Sequence, residues 1–503
     1  MRKILVEALS HPPQTANGQT RLTPFAGSRE QVLAGLAIVD LQVRWAIMRA
    51  RAHGLSPDDA FRGLYIGESK VDGLLAQELG HSLWPRLDET AVPFLQWQQA
   101  IDQAQESWQA RTAASRVPLC LEQLRQAFNL TPADISLLLL ALAPELDARY
   151  ERLFAYLQDD VTKKRPSVEL CLHLSQAGLD QRLDERARFA DEAPLFRHRL
   201  LVRYADKNRN DTSLLAQFVR PVPTLVEHLL GRTRMDSRLQ AYTRLWQPHD
   251  WSPPADLPAV RPDHLVKAAR QGAIFSFRGG YGAGKRTVAC YMAHQLQRPL
   301  LDVDMAALTQ GDDNLVEMGR LLDRDGRFYH ALLYLRNWDG LLHDNHPPPP
   351  FFRLLLNYPG PIVMAGAQSW QPRGERARPL VRVQFEAPAY DGRLRAWQHH
   401  LAESDLDPTR VANHFRFSPG QIADAVATAH DLALGNGRPL SEEDLFAASR
   451  AHSNQNLANM ATKVKPCYGW NDIVLPADTF NQLQEMVNVV QQRHIVYEQW
   501  GFG

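Results

Sequence analysis

Residues 279–287 read GGYGAGKRT, and how this stretch is read decides the fold around it. Gly279, Gly284 and Lys285 meet the phosphate-loop pattern G-x-x-x-x-G-K-[ST]. Glycines let a backbone turn tightly and aim its amide N–H groups at an anion, and a helix beginning near Lys285 adds its positive end. The pattern then breaks. Position 286 is Arg, where a Ser or Thr hydroxyl is expected to hold Mg²⁺. The candidate nucleotide-binding residues are Gly279, Gly280, Tyr281, Gly282, Ala283, Gly284, Lys285, Arg286 and Thr287. The competing reading is a glycine-rich turn that only closes a strand–helix unit.

The flanking sequence supplies the context that such a loop requires. AIFSFRG before it reads as a buried strand, and KRTVACYMAHQLQ after it as a helix. RPLLDVDM (298–305), HALLYLRNWDGLL (330–342), GPIVMAGAQ (360–368) and LVRVQFEAP (380–388) read as four more strands, with helical stretches between them. This alternation predicts an α/β fold with a parallel sheet and covering helices. Helices resume over 389–460.

Hydrolysis needs an acid after a buried strand to hold Mg²⁺ and a neighbouring Glu to polarise water. Aligned on ALLYL, these positions fall on Arg336 and Asn337, with Asp339 in a structural place. Arg286, Arg336 and Asn337 depart together, which predicts a site with no bound metal and assigns no catalytic residue. Gln368, at the end of the fourth strand, is a sensor candidate; the plainer reading is a strand-end amide. Arg373 and Arg376 are arginine-finger candidates, with Arg378 beside them; the plainer reading is an exposed basic loop.

The rest of the chain is ordinary in composition. It has 503 residues, enough for several domains, with 56 Lys plus Arg against 56 Asp plus Glu. No global field favours nucleic acid or an acidic membrane. Cys120, Cys171, Cys290 and Cys467 show no paired spacing, which fits a reducing, cytoplasmic setting and excludes a disulfide framework. The apolar run ISLLLLALA (135–143) falls short of the ~20 residues that span a bilayer.

Residues 1–28 read as a flexible N-terminus, and 29–116 as a helical domain. Leu33, Leu36, Val39, Leu41, Val43 and Ile47 there stand near helical spacing. Over 117–250 a helix–turn–helix–helix pattern precedes the short strand candidate LFRHRLLVRYAD, a winged-helix-like α+β arrangement. Thr131, Pro132 and Asp134 mark a capped helix start. Lys163, Lys164 and Arg165 read as a solvated turn. Over 117–250 there are 19 basic and 18 acidic residues, so the basic stripe of a DNA reader is missing and protein contact is expected. The Pro-rich NHPPPPFF (345–352) reads as a rigid spacer before a helix.

In order, GGYGAGKRT, HALLYLRNWDGLL, PIVMAGAQ and HFRFSPGQIADAVATAH resemble an AAA+ ATPase module over about residues 260–465. With LALAPELDARYERLFAYLQDD and WNDIVLPADTFNQLQEMVNVVQQRHIVYEQWGFG, the chain is similar to the AAA+ proteins encoded with phage-tail-like contractile injection systems. The resemblance implies an AAA+ core at 251–388, a helical lid at 389–465 and the start of a second AAA+ module at 466–503, cut off at Gly503. It implies ATP or ADP as cofactor, protein partners among injection-system components, and homo-oligomers of the full-length form. The first expectation is a nucleotide-binding, hydrolysis-impaired module that assists particle assembly or remodelling. The rival is a non-enzymatic interaction scaffold with a vestigial site.

Overall fold

The computed structural model describes residues 23–52, 92–175, 178–205, 213–232, 234–252, 262–311, 314–372, 378–402, 404–453 and 469–491. Most of the expected flexible N-terminus, Cys467, Arg373, Arg376 and the end of the final segment lie outside these residues. The described residues form two compact units. The first runs to Ala241 and also takes in Asn314–Tyr329; the second holds the remainder from Tyr242 on.

The first unit is mostly helical. Its long helix Ser28–Ala52 is apolar enough to span a membrane by length and composition. Here it is a core element: Val32, Val39, Val43, Ala46 and Ala50 are buried against Leu138, Leu142 and Trp97. Leu33, expected on the apolar face, is exposed, because the buried stripe runs through Val32 and Leu36 and leaves it on the far side. The helix Pro132–Leu146 starts where the sequence marks it: Asp134 N–H donates to Thr131 Oγ1, while Asp134 accepts from Thr131 N–H. Such a box contributes about 0.5–2 kcal/mol. Helices Arg149–Leu157 and Val168–Leu174 follow, and β1 (Leu201–Tyr204) pairs antiparallel with β2 (Phe218–Pro221). Lys163 and Lys164 follow a turn, but Arg165 is only partly exposed and turns back onto Glu145 at 2.8 Å.

The helix Leu315–Phe328 belongs to this first unit although it lies in sequence between two strands of the sheet. Phe328 joins the first unit's core beside Phe128 and stacks on His228. Arg199 grips Glu317 through Nε at 3.0 Å and Nη2 at 2.8 Å. His198 Nδ1 lies 3.0 Å from Asp323, which also pairs with Arg327 at 2.9 Å. Arg324, fully buried, bonds Asp325 and Asp236 at 2.8 and 2.9 Å. Burial alone raises the Asp236 carboxyl, but hydrogen bonds from Arg238 and Arg324 outweigh it and hold the group far below its usual range.

The second unit is built on a six-stranded, mostly parallel sheet in the order β3-β5-β6-β7-β4-β8. These strands are β3 (Thr243–Trp246), β4 (Ile274–Arg278), β5 (Leu300–Asp304), β6 (Leu332–Arg336), β7 (Ile362–Gly366) and β8 (Leu380–Gln384); β3 alone is antiparallel. All five strands expected from sequence are present. β4 to β7 each bury four residues in a row, the pattern of a sheet covered on both faces. The spacer reading of 345–352 is half right: Pro349 and Pro350 open the helix Pro349–Leu356, because proline suits a helix's first turn. Four helices, Tyr390–His400, Thr409–His414, Pro419–Gly435 and Glu442–Ser453, share a core of Trp397, Ile422, Ala425 and Leu445.

Candidate functional site

The strand order puts β4 between β7 and β8, while the chain leaving β4 crosses to β5 beyond β6. That is a reversal point, and ligands of open α/β sheets bind outside the carboxyl ends of the strands at such a point. GGYGAGKRT leaves β4 there, and the helix Lys285–Gln295 follows.

Local chemistry explains the loop's shape. Gly279 N–H donates to Gly366 O at 3.0 Å, and a Cβ on Gly279 would run into the Phe385 backbone. Gly282 and Gly284 have φ of 70° and 89°, a left-handed backbone that glycine adopts freely. Lys285 Nζ folds back onto the carbonyls of Gly279 at 2.5 Å and Gly280 at 2.7 Å. Burial lowers the Lys285 pKa, with Asp339 opposing. Gly284 brings no side chain to the first-turn amides of the helix. Ala283 is buried, Thr287 is half-buried, and Tyr281 is 72% exposed with its hydroxyl bonded to Asp424.

The four-helix segment after β8 touches the loop directly, and nothing in the sequence pattern marked this. Ser418 Oγ donates to Tyr281 O at 2.7 Å and Gly420 N–H to Gly282 O at 3.0 Å. A Cβ on Gly420 would sit 2.5 Å from Gly282 Cα, so both positions need glycine for this approach. Ser418 also caps its own helix with Gln421.

The departures from the pattern gather in one place. Arg286 Nε is 3.4 Å from Asp302, Arg336 Nε is 3.3 Å from Asp302, and Arg336 Nη2 is 2.9 Å from Asp304. Asp302 and Asp304 stand at the end of β5, beside Arg336 on β6. Arg286 also bonds the Cys290 thiol and lies over the Trp246 ring at 4.5 Å; Arg244 lies over the same ring at 3.8 Å. Burial pushes the Asp302 carboxyl up, and the neighbouring guanidiniums only partly offset it. Asn337, at φ 56°, donates to Asp304 Oδ1 at 3.0 Å. Asp339 accepts the amides of Ala367 at 2.6 Å and Gln368 at 3.0 Å, a turn-holding role. The Gln368 side chain is exposed at the strand end. Arg378 is no exposed loop residue: it donates to the carbonyls of Gly272, Tyr358 and Gly360 and ties the sheet together.

The glycine loop, Lys285 and the uncapped helix start fit the phosphates of a nucleotide. Mg²⁺ fits less well: guanidiniums stand at 286 and 336, where a hydroxyl and a carboxylate would hold it.

Fold and site thus define a mixed α/β protein in which a helical segment contacts a glycine-rich loop at the reversal point of a mostly parallel sheet. Residues 14–243 match the family described as "Winged helix domain, variant". That match spans both the expected helical domain and most of the winged-helix-like one. Residues 390–455, the four-helix segment, match "Contractile injection system ATPase helical domain". Together they support the family of contractile injection system ATPases, and the second match points to a component of such a system. Comparison with curated proteins found no match.

Proposed function

We propose that the second unit is an AAA+ module that binds ATP or ADP without hydrolysing it at a useful rate, in a protein serving assembly or remodelling of a contractile injection particle. The observation carrying this reading is the contact of Ser418 and Gly420 with Tyr281 and Gly282. It joins the helical segment matched to contractile injection system ATPases to the phosphate-type loop. A lid that grips the loop backbone is placed to respond to what the loop holds.

Impaired hydrolysis follows from residue chemistry. Arg286 offers no hydroxyl, Arg336 no carboxylate, and Asn337 no base for an attacking water. The partners are proteins of the injection system, and the setting is cytoplasmic. Gln368, Arg373 and Arg376 keep their roles as sensor and finger candidates within this proposal.

The scaffold reading also has an observation behind it: Asp302 and Asp304 already neutralise Arg286 and Arg336 without any ligand. Calorimetry with ADP and ATP, beside a phosphate-release assay, separates the two. We expect binding that is lost in Lys285→Ala and no turnover above background. Absence of binding selects the scaffold. Robust phosphate release that vanishes in Lys285→Ala overturns the impaired-hydrolysis reading.

A further inference from the structure

We infer that the site takes a nucleoside di- or triphosphate free of divalent metal, and that Asp302 is an internal anion which holds Arg286 and Arg336 until phosphate displaces it. This rests on the nucleotide-binding reading above.

Three elements converge on Asp302. Arg286 comes from the first turn of the loop helix, Arg336 from the end of β6, and Asp302 from β5. In a metal-dependent site these places supply the hydroxyl and the acid around Mg²⁺. Here they supply two positive charges instead, so a divalent ion would meet repulsion where it needs ligands.

The Asp302 pairings are poor ones for such a buried group. Its side chain is 6% exposed, yet Oδ1 makes no hydrogen bond, because Arg336 Nε at 3.3 Å is badly aligned with it. A buried carboxylate with an orphan oxygen is costly to maintain. The arginines are not trapped with it: their side chains are 47% and 45% exposed. Phosphate oxygens offer them stronger, bidentate charge-assisted bonds.

Asp304 differs from its neighbour. It caps the helix Met305–Gln310 through the amides of Ala306 and Ala307, and it accepts from Asn337. Its place is structural, so the exchangeable anion is Asp302. Trp246 keeps the guanidinium of Arg286 oriented by stacking, with Arg244 on the same ring. Three arginines against two aspartates leave the cluster positive, which suits a polyanion.

The test is ADP affinity by calorimetry in EDTA and in excess Mg²⁺, on the full chain. We expect the two affinities to agree within roughly twofold. We expect Arg286→Gln and Arg336→Gln each to weaken binding in EDTA by about tenfold, the value of one charge-assisted bond. Asp302→Asn is expected to tighten it roughly three- to tenfold by releasing Arg286 and loosening Arg336, which keeps its bond to Asp304. The two arginine variants change half-exposed side chains and keep the test decisive should Asp302→Asn fold poorly. Binding that requires Mg²⁺, or that ignores the loss of either arginine, overturns the inference and leaves the nucleotide reading standing. No binding in either buffer overturns both.

Discussion

The protein contains two clusters in which arginine meets aspartate, and they are built to opposite rules. In the first unit Arg324 is wholly buried, and its guanidinium bonds Asp325 and Asp236 at 2.8 and 2.9 Å; Asp325 in turn accepts the Asp236 amide. In the second unit Arg286 and Arg336 are half-exposed and lean on Asp302 at 3.4 and 3.3 Å without a well-aligned bond to it. Good geometry in a buried cluster marks a joint that does not move. Loose geometry around a buried acid, beside a glycine loop, marks groups free to change partner. The composition is alike in both places, and satisfaction of the carboxylates separates structure from candidate function.

Four measurements break or sharpen this contrast. Arg324→Met leaves Asp236 and Asp325 buried without their cation and should cost about 3–5 kcal/mol in urea unfolding; a loss under about 1 kcal/mol would mean that the joint is not one. Next comes Asp323→Ala, which strips His198 and Arg327 of a shared partner. A loss of about 1–3 kcal/mol is expected in the same assay. Asp302→Asn should change stability by less than about 1 kcal/mol of either sign, since the pairs it removes are misaligned and the buried charge it removes is itself costly; a large destabilisation would make that cluster structural after all.

The smallest effect concerns Arg438, partly exposed, and Asp444, whose side chain is tucked beneath it, with bonds of 2.6 and 2.7 Å. The Arg438 guanidinium and the Ser441 hydroxyl hold the Asp444 carboxyl down to about 2 from 3.8. A depressed acid stabilises the fold above its unfolded pKa, so the contribution is complete above pH 3.8 and fades as pH falls through about 2. Carboxyl NMR titration of Asp444 checks this; a midpoint at 3.8 or higher would remove the pair's contribution.

How much of this was legible beforehand depends on the range of each interaction. Thr131, Pro132 and Asp134 act within one helical turn, and their cap could be read directly. The five strands from β4 to β8 are short apolar runs bounded by turn residues, so their existence was readable too, while their order in the sheet and the edge strand β3 were not. Arg286, Arg336 and Asn337 stood out because a local motif defines what should occupy those places. The grip of Ser418 and Gly420 on the loop was not readable, since more than a hundred residues of chain separate the partners and no local pattern couples them. The exposure of Leu33 is not readable, because several helical faces remain open when most positions are apolar. Arg165 and Arg378 read as solvated because a basic residue's local surroundings do not reveal a distant Glu145 or a trio of carbonyls.

The helix Leu315–Phe328 has a consequence for how the chain can be made and cut. It supplies Phe328 to the core of the first unit and Arg324 to its buried ion cluster, yet it is encoded well after that unit's other segments. During synthesis the first unit therefore cannot close its core when Ala241 leaves the ribosome. It must wait until β3, β4, the glycine loop and β5 have emerged. A protein severed between Ala241 and β3 would leave one piece lacking a core helix and burden the other with a stranded one. The first unit is therefore discontinuous in sequence, and its last segment is made only after much of the second unit's sheet.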